Sequence, residues 1–193
     1  MLIENGYQVI RMGSGSERPF TKAPAGVIDY ALSKNRSEFL DVFIAATCEF
    51  AVSTQTGPDA VCMLFRRPVL YVDVTSYIQF FFGSKLATWS PARLQKNGKI
   101  LNLSEIVNSE IAWFKDPNLF SKNGISQQKS SSNELKELVL SYIRMRGRED
   151  GKALSTQLMV SRGFGERGRL QFGEVTACLA PDAERILGDW VMK

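Results

Sequence analysis

The stretch 50–72 is the feature that most restricts how this chain can fold. It reads FAVSTQTGPDAVCMLFRRPVLYV, with apolar runs at residues 50–52 and 68–72 and a helix that the pair Gly57-Pro58 would begin. Apolar runs that are continuous rather than alternating are typical of strands buried on both faces of a sheet. A strand, a helix and a second strand joined by short connections predict parallel strands. The chain is therefore predicted to have an α/β fold.

The other elements are predicted from the same kinds of pattern. A strand is expected at residues 7–10, a loop over 14–26, and a second short strand or an extended segment at 27–30. Capping boxes at Asn35/Glu38 and Ser131/Glu134 predict two helix starts, and further helices are expected at residues 104–106, at 152–161 and after Pro181. The remaining segments are predicted as an aromatic cluster packed over the sheet (77–82), an irregular connector (84–103) and a polar linker (126–133).

Composition excludes several classes of site. The chain has no histidine, which rules out histidine triads, histidine metal sites and imidazole bases on this chain. Its three cysteines fit neither a zinc spacing nor a disulfide framework, and Cys48 and Cys62 are predicted to be buried thiols. No apolar run approaches the ~18–20 residues of a membrane span, and the first residues lack the pattern of a signal peptide. A cytoplasmic protein is expected.

The net charge of +4 is unevenly placed. Residues 1–90 are neutral, and most of the excess lies between Arg144 and Arg169. This basic region is interpreted either as a solvated surface or as a contact for anionic lipid or an anionic substrate. Nucleic acid is not expected as a partner, because the region has no interleaved aromatic residues for base stacking.

Three segments are predicted to meet at the carboxyl ends of strands, where open α/β sheets bind ligands: Arg11-Met12-Gly13, residues 27–30 and residues 53–60. Gly57 would let the backbone approach a ligand, the first amides of the helix would bind an anion, and Arg11 could hold a diphosphate. The alternatives are a plain strand-to-helix turn, an Asp59 carboxylate that already complements the helix dipole, and an Arg11 paired with Asp29 or Glu17.

Several stretches together carry a resemblance: GYQVIRMG (6–13), VIDYALSKNRSEFLDVFIAATCEFAVST (27–54), TGPDAVCMLFRRPVLYVDV (56–74) and ILNLSEI (100–106). Over residues 1–145 the chain resembles bacterial glycosyltransferases of the GT-B class that are linked to surface polysaccharide assembly. The Thr-Gly-Pro block is also similar to the donor-binding loop of heptosyltransferases. Those enzymes carry Asp before the Thr-Gly and His shortly after it, whereas Gln55 and Asp59 stand here.

The resemblance implies a Rossmann-like parallel sheet with helices on both faces over residues 1–125, and a helical C-terminal extension over 126–193 that packs on it. The chain would be the donor-binding half of a glycosyltransferase, and the acceptor domain would lie upstream. Arg11 would contact the donor diphosphate, Thr56 and Gly57 would hold phosphate or ribose, and Asp29 and Tyr30 would line the base or sugar pocket. The other expected donor-binding residues are Gly13, Thr54 and Pro58.

The implied partners are a nucleotide-sugar and a glycan or lipid-linked acceptor, with peripheral contact to the inner membrane through residues 144–169. No cofactor or metal is expected, because GT-B enzymes generally need no metal-binding DxD motif and none occurs here. No catalytic residue is assigned. The alternative is a non-catalytic, truncated domain that binds a partner or anionic lipid. A nucleotide-sugar epimerase would need carboxylates for proton abstraction, and this chain offers no clear pair.

Overall fold

The computed structural model describes residues 1–13, 18–20, 24–76, 85–146 and 178–187. The predicted aromatic cluster at 77–82, the predicted helix at 152–161 and most of the basic region 144–169 lie outside the described residues. The strands are β1 (Val9–Ile10), β2 (Val27–Ile28), β3 (Ala51–Ser53), β4 (Val69–Val74), β5 (Ala87–Pro91), β6 (Arg93–Lys96), β7 (Lys99–Ile100), β8 (Ile125–Gln128) and β9 (Cys178–Leu179). The α-helices are α1 (Glu38–Thr47), α2 (Gly57–Leu64), α3 (Leu103–Val107), α4 (Pro117–Lys122), α5 (Ser132–Met145) and α6 (Ala183–Leu187).

A parallel sheet with strand order β3-β4-β5-β9 forms the centre of the fold, and β1 and β2 form a separate parallel pair. The side chains of β4 are buried apart from Asp73, and Trp89 in β5 is fully buried. Burial of consecutive residues on both faces explains why the strand-forming run at 68–72 does not alternate. The prediction of an α/β fold with parallel strands is confirmed.

The prediction of an irregular connector over 84–103 is wrong. This segment contains the central strand β5 and the antiparallel hairpin of β6 and β7. Asn97 and Gly98 form the turn of the hairpin, and both have positive φ, 52° and 79°. An Asn-Gly pair favours the two-residue turns that join antiparallel strands, so the signal was present in the sequence.

The prediction of a polar linker from residue 126 is also wrong in its first part. Residues Ile125–Gln128 form β8, which pairs antiparallel with β6, and only Ile125 among them is buried. A strand with one buried side chain has no apolar pattern to reveal it. The segment predicted as a helical extension also contributes β9 to the central sheet. The domain boundary at residue 125 stays a prediction.

Helix starts follow the capping rules closely. Helix α5 begins after Ser131, whose hydroxyl accepts from the amide of Glu134, while the Glu134 carboxylate accepts from the amide of Ser131 at 2.6 Å, as predicted. Helix α1 begins at Glu38 with Ser37 as its cap, so the predicted capping box at Asn35 is wrong. None of the helices in the described ranges combines the length and the apolar composition that a membrane span requires.

Candidate functional site

An open cleft of about 1170 Å³ lies between β1 and β3. Its lining includes residues that follow each of these strands. Five of the predicted donor-binding residues line it: Arg11, Gly13, Thr56, Gly57 and Pro58. The structure therefore brings together two of the three segments that the sequence placed at strand ends, Arg11-Met12-Gly13 and residues 53–60.

The other three predicted residues are placed differently. Asp29 is not in the cleft lining and reaches the cleft only through its bonds to Arg11. Tyr30 is buried, and its hydroxyl donates to the carbonyl of Ser37 at 3.1 Å and accepts from the Ser37 amide, so it holds the start of α1. Thr54 is exposed and lies outside the lining.

The guanidinium of Arg11 already donates hydrogen bonds to two other residues, Asp29 and Arg18. Its Nε and Nη2 donate to the two carboxylate oxygens of Asp29 at 2.8 Å each, and Nη1 donates to the carbonyl of Arg18 at 2.9 Å. The ring of Phe20 lies 4.3 Å from the guanidinium carbon. An arginine has five N–H donors, so two remain for a ligand, although the carboxylate of Asp29 neutralises the charge. The alternative pairing of Arg11 with Asp29 is the one observed.

The loop from β3 into α2 is organised around Asp59, which is buried. One of its carboxylate oxygens accepts from the hydroxyl of Ser53 and from the amide of Thr56, both at 2.7 Å. Burial and the adjacent Asp59 carboxylate raise the pKa of the Tyr71 hydroxyl, which lies beneath the loop. Asp59 therefore fixes the shape of the loop and places its own negative charge in the first turn of α2.

Gln55 connects this loop to the end of β4. Its side-chain oxygen accepts from the amides of Thr75 and Ser76 at 3.1 and 3.2 Å, and its side-chain nitrogen donates to the carbonyl of Ser76 at 2.6 Å. Its backbone has φ of 62°, an uncommon value for a residue other than glycine. These three hydrogen bonds account for that conformation.

Further polar residues of the cleft were not among the predicted site residues. Ser53 and Arg36 line the cleft, and Arg36 pairs with Asp41 at 3.2 Å. Glu49 also lines it and pairs with Arg146, one of two basic-region residues in the described part of the chain. Ser53 falls within the segment 53–60 that the sequence placed at a strand end, although it was not named as a binding residue, whereas Arg36 precedes α1 and carries no local signal.

Cys48 and Cys62 lie together on the cleft wall, Cys48 half-buried at the end of α1 and Cys62 buried on α2. The prediction of a buried thiol is confirmed for Cys62. A hydrogen bond from the Cys62 thiol lowers the pKa of Cys48 to about 7, and the same contact together with burial raises the pKa of Cys62. Cys48 is therefore the more reactive thiol of the two.

Replacing Cys62 by alanine is expected to raise the pH of half-maximal alkylation of Cys48 from about 7 towards the ordinary ~8.5. The substitution removes the donor that stabilises the Cys48 thiolate, and loss of a stabilised anion raises a pKa. The measurement is the rate of iodoacetamide modification of the Cys48 peptide between pH 6 and pH 9, followed by mass spectrometry. An unchanged profile in the variant would contradict the assignment.

The described ranges contain no group of three or more cysteine or acidic side chains that could hold a metal ion. Comparison of the chain with protein-family models, with curated proteins and with solved structures finds no match.

Proposed function

We propose that this chain is the nucleotide-sugar-binding half of a GT-B glycosyltransferase, with a Rossmann-like arrangement of its parallel strands. The observation that carries the proposal is that Arg11 and Gly13, which follow β1, line the same cleft as Thr56, Gly57 and Pro58, which follow β3. In doubly wound sheets, the crevice beyond the carboxyl ends of strands is the usual ligand site. The resemblance in sequence supports a donor nucleotide as the ligand.

Each part of the cleft has a separate task in this proposal. The amides at the start of α2 and the Thr56 hydroxyl hold the diphosphate or ribose, and the two remaining N–H groups of Arg11 donate to phosphate oxygens. Asp29 fixes the plane of the Arg11 guanidinium through two 2.8 Å bonds. Donors held in place before the reaction stabilise the charge that develops on the leaving nucleoside diphosphate. The acceptor, a glycan or a lipid-linked sugar, would approach from an upstream domain.

Gly57 gives the sharpest test because an added side chain there meets nothing in the protein. A Cβ on Gly57 has no heavy atom within 4 Å. Gly57→Val is therefore expected to leave the melting temperature of the unliganded protein within about 2 °C of wild type, while its branched side chain blocks phosphate from the amides of α2. Wild type should gain about 5–10 °C from its nucleotide at 100 times the dissociation constant, and the variant should gain nothing.

The measurement is a thermal-shift panel of UDP, GDP, ADP and CMP with their sugars. Thr54→Val is the matched control, because Thr54 is exposed three residues away and outside the cleft, and it should keep the full shift. A panel in which no nucleotide shifts the folded wild type, or in which Gly57→Val keeps the shift, would overturn the proposal.

A further inference from the structure

Cys48 and Cys62 form a pair of thiols on the wall of the cleft, one directly after α1 and one within α2. Both are free thiols, and the Cys62 thiol donates a hydrogen bond to the Cys48 sulfur. While it is protonated, the Cys48 thiol donates to the carbonyl of Ala45 at 3.4 Å. Two thiols in direct contact have a chemistry that a single thiol lacks, because one can attack the other after it has been oxidised.

Arg67, which follows α2, holds the two thiols next to each other. Its backbone amide donates to the carbonyl of Cys62 at 2.8 Å, and its Nε donates to the carbonyl of Ala46, near the end of α1, at 2.6 Å. A single residue therefore bonds to both helices beside the pair. The contact between the two sulfur atoms is thus built into the packing of α1 on α2.

The two thiols differ in burial and in ionisation. Cys48 is half-buried, whereas Cys62 is only 4% exposed. The hydrogen bond from Cys62 and the positive charge of Arg67 lower the pKa of Cys48 to about 7, so about half of this thiol is ionised at pH 7. The opposing negative charges near the pair are those of Glu49 and Asp59. Because the thiolate is the nucleophile, Cys48 is the thiol that reacts first.

We propose that Cys48 and Cys62 are a redox pair that a hydroperoxide converts into a disulfide joining α1 to α2. In the first step the Cys48 thiolate attacks one peroxide oxygen, the O–O bond breaks, and the departing oxygen takes up a proton, which leaves Cys48 as a sulfenic acid. In the second step the Cys62 thiol gives up its proton, its sulfur attacks the Cys48 sulfur, and the S–O bond breaks with release of water. The two thiols lose two electrons in total, and one hydrogen peroxide is reduced to two molecules of water.

The disulfide would act on the cleft itself. It would close a loop over residues 48–62, which contains β3 and the Thr56-Gly57-Pro58 segment of the cleft lining. A dithiol reductant would restore the two thiols by exchange. The proposal does not rest on nucleotide binding, because the contact of the two thiols is independent of what the cleft holds.

The test treats the reduced full chain with hydrogen peroxide at pH 7, blocks the remaining thiols with N-ethylmaleimide and maps the unreduced peptides by mass spectrometry. Peptides linked through Cys48 and Cys62 are expected, and the number of free thiols should fall from the three cysteines of the chain to one. Dithiothreitol should restore all three. Unchanged thiols, a linkage through Cys178 or to a second copy of the chain, or oxidation of Cys48 without a disulfide would overturn the proposal.

Variants assign the two roles within the pair. Cys62→Ser should leave a Cys48 sulfenic acid that dimedone traps, and no disulfide. Cys48→Ser should slow the loss of the Cys62 thiol at least about tenfold, since a buried thiol with a raised pKa reacts slowly. Cys178→Ser is the matched control and should form the disulfide at the wild-type rate. An undiminished rate for Cys62 in Cys48→Ser would overturn the assigned order, and the wild-type map decides the pairing even if a substitution unfolds the chain.

Discussion

Replacing Trp89 by alanine is expected to lower the free energy of unfolding by about 3–5 kcal/mol, the usual cost of truncating a buried large aromatic side chain. Trp89 is fully buried in β5, between β4 and β9, and pairs with Tyr71 on one side and Leu179 on the other. Its removal leaves a cavity in the centre of the sheet, where neighbouring strands cannot collapse without losing their own hydrogen bonds. Urea unfolding followed by circular dichroism measures the loss.

Leu64→Ala is the control for Trp89→Ala. Leu64 is 78% exposed near the end of α2, so its truncation is expected to change the unfolding free energy by less than about 0.5 kcal/mol. A loss below about 1 kcal/mol in Trp89→Ala would show that residues 87–91 are not a central strand.

Arg93→Met is expected to have the second large effect. It should lower the free energy of unfolding by about 2–3 kcal/mol at pH 7. Arg93 in β6 donates to both carboxylate oxygens of Glu134 in α5, at 2.7 and 2.8 Å, and the two side chains are 11% and 22% exposed. Breaking such a pair leaves a largely desolvated carboxylate without its cation. The expected cost is below that of a fully buried pair, because water still reaches Glu134.

This loss is expected to depend on pH with a defined sign. The bonds from Arg93 lower the pKa of Glu134 from 4.5 to about 2. A carboxyl group with a depressed pKa in the folded state stabilises the fold above its unfolded pKa, and it loses that contribution as the pH falls through the folded value. The difference between wild type and Arg93→Met should therefore be constant above pH 5 and shrink between pH 4.5 and pH 2.

Lys99→Met supplies the matched control for this ion pair. Lys99 pairs with Glu105 at 3.3 Å, but both side chains are exposed, so its loss is expected to change the unfolding free energy by less than about 0.5 kcal/mol. Urea unfolding at pH 7, pH 4 and pH 2.5 compares the two variants. An equal loss for Arg93→Met at all three values would contradict the assigned role of Glu134.

Local sequence rules predict the starts of α2 and α5 and the strands with unbroken apolar runs. Residues 68–72 and the pair Gly57-Pro58 carry their signal within a few residues, and the structure has β4 and α2 there. These rules do not predict β5 and β8, for different reasons. β5 reads ATWSP, with small and polar residues that become buried only through the tertiary fold, and β8 is polar because its side chains after Ile125 face water.

The features of the candidate site were likewise predictable from the sequence only in part. Positions at the ends of strands, such as Gly13 and Gly57, follow from the pattern, since the carboxyl ends of parallel strands lie at one edge of a sheet. Side-chain partners do not follow from the pattern. The sequence left Arg11 free to pair with Glu17, with Asp29 or with a ligand, and only the parallel register of β1 with β2 places Asp29 beside it.

The hydrogen bonds of the Gln55 side chain fix the position of one side of the cleft. Its amide joins the loop after β3 to Ser76, and the Ser76 hydroxyl donates to the carbonyl of Phe114 at 2.9 Å. Two successive links, from Gln55 to Ser76 and from Ser76 to Phe114, thereby hold this side of the cleft to the rest of the protein. The β1–β2 pair carries no strand-to-strand bond to that wall among the described residues. Because the Gln55 side of the cleft is held in this way, a change in the width of the cleft would have to come from displacement of β1 and β2.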